Sequence, residues 1–210
     1  MKNTFYLETY GCASNKADSY IISEFLRRHS YEETSIDKSH FIIVNTCTVK
    51  QQTENKIRAR LKQIYRKYPS KKVIVCGCLP FVTPNYIEVV KDIIPNVSAI
   101  VSPKSIHLMP EILEEIKAGK KLLVYNEKDD LDKAEFTITH KSNKITGITP
   151  ISEGCLGACT YCCVKFARGC LNCFNPSKIV LNVKNQLQQG IKQIYLTSQD
   201  CRNYNYQSTN

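Results

Sequence analysis

"HFIIVNTCTVK", residues 40–50, places four apolar side chains in a row and then meets a cysteine. Phe41, Ile42, Ile43 and Val44 do not alternate with polar residues, so a strand here is covered on both faces. That pattern belongs to the interior of a parallel sheet. Similar runs lie on either side. "TFYLETYGC" at 4–12 and "KKVIVCGC" at 71–78 also read as strands that end beside a cysteine, and "NVSAIVS" at 96–102 reads as a fourth. Between them the apolar period changes to that of a helix. One helix is expected over about 16–29, capped by Ser14, with Ile21, Ile22, Phe25 and Leu26 inward. A second is expected over 50–67, with Ile57, Leu61, Ile64 and Tyr68 at 3.6-residue spacing. A third, over 104–118, would pack through Leu108, Ile112, Leu113 and Ile116 and stop at Gly119. Strand and helix in alternation predict an α/β unit with a parallel sheet and helices on both faces.

Downstream the rhythm breaks. Residues 119–143 include "NEKDDLDKAEF" and read as a charged linker. A second unit, residues 144–210, opens with the strand "KITGITPIS". Asn175 and Pro176 form a cap and first-turn pair for a helix over 176–189. Its expected buried face is Ile179, Val180, Val183 and Leu187, and Gly190 ends it. "IKQIYLTSQD" is a further strand, after which "CRNYNYQSTN" is polar and without period.

The composition narrows the class. Of 210 residues, 42% are hydrophobic and 23% charged, as in ordinary globular proteins. The N-terminus lacks the apolar core and cleavage site of a signal peptide, and runs such as "FIIV" are too short to span a bilayer. A soluble, cytoplasmic protein with no membrane partner is the expectation. There the eleven cysteines, an odd number, suggest metal or redox chemistry more than disulfides. The net charge of +10, from 29 Lys and Arg against 19 Asp and Glu, favours an anionic partner such as nucleic acid, or else reflects a lysine-rich solvated surface. The helix over 50–67 carries Lys56, Arg58, Arg60, Lys62, Arg66 and Lys67 on its outer side, and Lys165 and Arg168 follow the cysteine loop. These suit an RNA backbone or a solvated face equally.

Six cysteines fall into two groups. In "EGCLGACTYCCVKFARG", residues 153–169, Cys155, Cys159 and Cys162 are spaced C-x3-C-x2-C on one loop. Iron–sulfur clusters are normally held by four thiolates, so three leave one iron of a four-iron cluster open to a small molecule. A zinc site from Cys159, Cys162, Cys170 and Cys173 is the alternative, although zinc ribbons usually separate their pairs by more than seven residues. Cys12, Cys47 and Cys78 follow three successive strands. The carboxyl ends of parallel strands share one edge, where ligands bind. These three could therefore converge as a second open trio, or be small buried hydrophobes at turns. Cys76, inside its strand, is expected to point into packing.

The loop resembles that of the radical S-adenosylmethionine enzymes, and "EGCLGACTYC" together with "TYGCASNKADS", "VNTCTVK" and "GCLP" resembles the methylthiotransferase family among them. The resemblance covers residues 4–200 and is nearest to the archaeal and eukaryotic branch. It implies a flavodoxin- or Rossmann-like N-terminal domain over 1–118, then the start of a radical S-adenosylmethionine partial (β/α) barrel, truncated at its C-terminus and without the family's C-terminal RNA-binding domain. It implies two 4Fe-4S clusters, one on Cys12, Cys47 and Cys78 and one on Cys155, Cys159 and Cys162, with S-adenosylmethionine at the open iron of the second. There an electron cleaves the sulfonium to a 5′-deoxyadenosyl radical. Tyr161 would lie against the adenine, and Gln199 and Asp200 would contact the methionine end. Cys163, Cys170 and Cys173 depart from the family pattern and are not assigned as ligands.

The implied reaction adds a methylthio group to carbon 2 of N6-threonylcarbamoyladenosine at position 37 of tRNA, with an electron donor such as flavodoxin or ferredoxin and a possible separate C-terminal fragment as partners. The alternative is a non-catalytic iron–sulfur or zinc protein that binds RNA or a partner.

Overall fold

The computed structural model describes residues 3–83, 85–125, 131–136 and 145–206. The N-terminal unit runs β1 (Thr4–Thr9), α1 (Ala13–Arg28), β2 (Glu32–Glu33), β3 (Phe41–Thr46), α2 (Gln51–Lys67), β4 (Lys72–Gly77), α3 (Tyr86–Ile93), β5 (Ala99–Val101), α4 (Met109–Lys117) and β6 (Leu122–Val124). Its six strands are all parallel and lie in the order β2-β1-β3-β4-β5-β6.

The run 41–44 that suggested this sheet is fully buried, and its alternate residues enter two different cores. Phe41 and Ile43 pack with Phe5, Ile21, Ile22, Leu26 and Leu113 on one side. Ile42 and Val44 pack with Ile57, Leu61, Ile64 and Val90 on the other. A strand pressed between two helical layers can afford no polar residue on either face, hence the unbroken apolar run. The α/β class, the parallel sheet and the three main helices follow the sequence expectation.

Some details differ. The first helix starts at Ala13, and Cys12 rather than Ser14 stands at its cap, without a side-chain hydrogen bond. The expected helix 104–118 is divided: Pro103–Leu108 forms a tighter 3-10 turn before α4. The stretch expected to be linker contains β6, which adds to the sheet edge, and a 3-10 turn at Lys133–Glu135 that is built into the interior.

The second unit comprises β7 (Thr146–Pro150), β8 (Ser152–Glu153), α5 (Val164–Arg168), β9 (Asn172–Cys173), α6 (Pro176–Gln188) and β10 (Gln193–Thr197). β7 and β10 pair in parallel, and β8 and β9 form a small antiparallel pair that frames the cysteine loop. α6 follows its expected bounds, and the Asn175 side chain accepts from Ser177 N. Its buried face is only partly the one expected, since Ile179 and Val183 are half-buried. Asn182 and Gln186 are the buried residues, whereas Val180 and Leu187 are exposed. The cause is local. Asn182 Nδ2 donates to the carbonyls of Ala134 (3.1 Å) and Phe136 (2.7 Å), and Gln186 Nε2 donates to Thr149 Oγ1 (2.7 Å). Backbone brought against the helix needs donors, which apolar side chains cannot provide.

Candidate metal centres

The trio of Cys12, Cys47 and Cys78 occupies the carboxyl ends of β1, β3 and β4, three neighbours in the sheet. The strand order reverses between β1 and β3, and ligands bind in the crevice at such a reversal. Gly11 has φ +107° there, and a Cβ on it would stand 2.6 Å from Cys47 Sγ. Only glycine allows so close an approach. Asn15, on the first turn of α1, is fully buried and ties the crevice together. Its Nδ2 donates to Thr46 O (2.7 Å) and Tyr10 O (3.0 Å), while its Oδ1 lies 3.9 Å from Cys12 Sγ and 3.7 Å from Cys78 Sγ. Cys47 and Cys78 are buried and Cys12 is exposed, so the trio faces solvent through one member. Burial pushes the Cys78 thiol up to about 11, against the pull of the Arg168 guanidinium beside it. Cys76 is fully buried in the core with Ile43 and Ile74, and its thiol is pushed up by burial.

The second trio lies on the loop between β8 and α5. Cys155 and Cys159 both face Gly157: a Cβ there would meet their sulfurs at 3.3 and 3.8 Å. Gly157 N donates to Cys155 Sγ (3.2 Å), and a turn from Cys162 N to Cys159 O (3.1 Å) folds the third cysteine back. Lys165 Nζ closes the loop on Gly157 O at 2.9 Å. Gly154, at φ +79°, brings the strand into the loop so tightly that a Cβ would sit 1.9 Å from Cys170 O.

Among the described residues no group of three His, Cys, Asp or Glu is gathered to hold a metal ion. A single zinc demands that its ligands focus tetrahedrally on one point, and neither the two trios nor Cys159, Cys162, Cys170 and Cys173 form such a focus among the described residues. A cubane takes one thiolate at each iron corner, so its sulfurs are spread around a body. Cys12 and Cys78 beside the buried Asn15 amide with Cys47 against Gly11, and a glycine-floored loop with sulfurs on two sides, suit such a spread.

A buried charge cluster joins the two trios. Arg168, expected to face an RNA backbone, is only 2% exposed. It reaches across from α5 into the first crevice, with Nε donating to Cys78 Sγ (3.2 Å), Nη1 to Glu153 Oε1 (2.5 Å) and Nη2 to Asn15 Oδ1 (2.6 Å). Nη2 also lies 2.7 Å from Asp18 Oδ2, a charge contact that is not an aligned hydrogen bond. Lys133 Nζ bridges Asp18 Oδ1 and Glu153 Oε1, each at 2.8 Å. Burial opposes the charge on Glu153, yet Lys133 and Arg168 hold its carboxyl below the usual range. A second connection runs through Gln199, which accepts from Gly154 N (2.7 Å) and donates to Ser14 Oγ (3.3 Å).

Comparisons with known proteins relate the whole chain to others. Residues 4–102 match the family described as "Uncharacterized protein family UPF0004". The chain is 40% identical over 204 residues to a probable threonylcarbamoyladenosine tRNA methylthiotransferase of Pyrococcus horikoshii, covering 96% of this chain and 46% of that protein. It is 33% identical to the protein of the same description in Methanothermobacter thermautotrophicus, covering 95% and 46%. It is 31% identical to a tRNA-2-methylthio-N(6)-dimethylallyladenosine synthase of Hydrogenobaculum sp., covering 95% and 47%. The chain is similar to tRNA methylthiotransferases along nearly its whole length. It spans about half the length of the curated relatives it matches.

The remaining expected residues stand as follows. Tyr161 is 87% exposed at the tip of the second loop. Gln199 braces Gly154, next to Cys155. Asp200 caps the turn Cys201–Asn203, accepting from Arg202 N (3.0 Å) and Asn203 Nδ2 (2.7 Å). The basic face of α2 is partly spent within the fold. Arg60 grips Glu8 through Nε and Nη2, and Arg58 pairs with Glu54 at 3.6 Å and lies over the Tyr86 ring. Lys56, Lys62 and Arg66 remain exposed. No helix among the described residues is long and apolar enough to cross a membrane. Asn15, Asp18 and Lys133 were not singled out by sequence, although "CASNKAD" held a signal: Asn15 and Asp18 sit three apart, on the helix side that faces Cys78.

Proposed function

We propose that this chain carries the two cluster-binding units of a tRNA methylthiotransferase, which places a methylthio group on carbon 2 of N6-threonylcarbamoyladenosine at position 37 of tRNA. The observation that supports it is the placement of two cysteine trios, one on adjacent strand ends and one on a single loop, held to each other by buried side chains. Cys12, Cys47 and Cys78 would hold one 4Fe-4S cluster, and Cys155, Cys159 and Cys162 the other. The second cluster, when bound, would supply the electron that cleaves S-adenosylmethionine.

The chain's own residues bind and orient. Gly11 and Asn15 hold the first trio around one crevice. Gly157 and Lys165 fix the turn of the second loop, and Gln199 holds its entry. Tyr161 is free to stack on the adenine of S-adenosylmethionine. Asp200 and Gln199 stand at the end of β10 for its methionine end. Lys62 and Arg66 present charge for a tRNA backbone. The partners are tRNA and an electron donor of the flavodoxin or ferredoxin kind, and the setting is the cytoplasm.

Anaerobic reconstitution with iron and sulfide tests this. The expected result is about eight irons per chain, falling by half when either trio is changed to alanine, with S-adenosylmethionine cleaved under reductant. One zinc per chain and no cluster absorption would instead support a non-catalytic metal protein and overturn the proposal.

A further inference from the structure

Arg168 makes a contact that the two carboxylates beside it do not require. It is held by Asp18 and Glu153, both buried, and Lys133 balances the second of their charges. A guanidinium kept only for the ion-pair cluster would need just its two terminal nitrogens, Nη1 and Nη2. Here the remaining donor, Nε, is directed at a sulfur, 3.2 Å from Cys78 Sγ. Nη2 meanwhile fixes Asn15 Oδ1, the atom beside both Cys12 and Cys78. The residue belongs to the other trio's segment, since α5 follows the second cysteine loop and Cys155 N donates to Gly169 O (3.3 Å). Hydrogen bonds to cluster sulfurs and nearby charge set the potential of an iron–sulfur centre. A guanidinium keeps its charge at any working pH and offers a rigid fork.

We propose that Arg168 is a positioning residue through which the second unit sets the reduction potential of the cluster on Cys12, Cys47 and Cys78. Its Nε–H and positive charge stabilise the added electron, so docking of the second unit makes the first cluster easier to reduce. This rests on the cluster reading given above.

The test uses the full chain with Cys155, Cys159 and Cys162 changed to alanine, so that only the first cluster is titrated, at about four irons per chain. Arg168→Gln is expected to lower the ratio of reduced to oxidised cluster at least tenfold at a fixed poise, equivalent to about 59 mV for one electron. Arg168→Lys, which keeps the charge and loses the fork, falls between. Asp18→Asn removes a nearby negative charge and shifts the ratio the opposite way, a sign that general loosening does not produce.

Uniform 15N-arginine labelling of the unsubstituted arginine adds a readout that needs no variant at position 168: the reduced cluster is expected to show a 15N coupling in pulsed electron paramagnetic resonance. A loaded cluster whose potential ignores Arg168, or that lacks this coupling, overturns the inference alone. A parent chain that takes up no iron overturns the cluster reading, and the inference with it.

Discussion

Asn15 serves five groups with one amide: two backbone carbonyls, a guanidinium and two thiols. Replacing it with alanine leaves Thr46 O and Tyr10 O without those donors in a dry place. Each orphaned group costs about 1–3 kcal/mol, so Asn15→Ala is expected to lower the urea midpoint clearly and reduce iron uptake at the first trio. An unchanged midpoint would show that water takes over its bonds. The six cysteines stand out in the sequence by their spacing on one loop and by their place after three strands. Arg168 was misread because nothing local distinguishes a buried arginine from a solvated one. Its burial depends on Asp18 and Glu153, and on a lysine at 133 in a stretch that reads as linker.

At the scale of elements, α2 shows how a charged face divides between structure and surface. Arg60 and Arg58 are tied to Glu8 and Glu54, whereas Lys62 and Arg66 line an open groove with Tyr65. The pair Lys62→Glu and Arg66→Glu is expected to weaken tRNA binding whatever the sequence and to flatten its salt dependence by about one unit of slope per lost phosphate contact. Thermal stability should change little. Binding that keeps its salt slope would remove α2 from the RNA surface. β3 and β4 could be read directly because burial on both faces leaves a continuous apolar run, whereas β2, two glutamates at the sheet edge, gave no such signal. β6 could not, since three residues carry no period. α6 was placed correctly but is rotated so that only Ile179 and Val183 of its expected face turn inward, because that face answers backbone carbonyls at 134 and 136 that no helical periodicity reveals.

At the scale of the molecule, the two units are joined by a neutral cluster of four buried charges rather than by apolar packing alone. Such clusters give little net stability when intact but are costly to break, about 3–5 kcal/mol when one partner is removed. Lys133→Met leaves Asp18 and Glu153 with Arg168 alone, and a loss of that size is expected in chemical denaturation, with an early transition of the second unit. A loss below about 1 kcal/mol would mean that the surviving charges rearrange at little cost. The parallel alternation of the first unit was readable from sequence, but the way the second unit docks was not, because its contacts are polar, long-range and spread over 18, 133, 153 and 168.

The outer side of the second unit has a practical consequence. Among the described residues β10 pairs only with β7, and Tyr195 and Leu196 on it, with Leu181 and Leu187 on α6, are half or more exposed or close to it. Molecules with such a flank tend to stack on one another strand to strand. Apolar attraction fades on cooling and strengthens with sulfate, so preparations of this protein should stay clear in the cold and turn cloudy on warming or salting, reversibly at first.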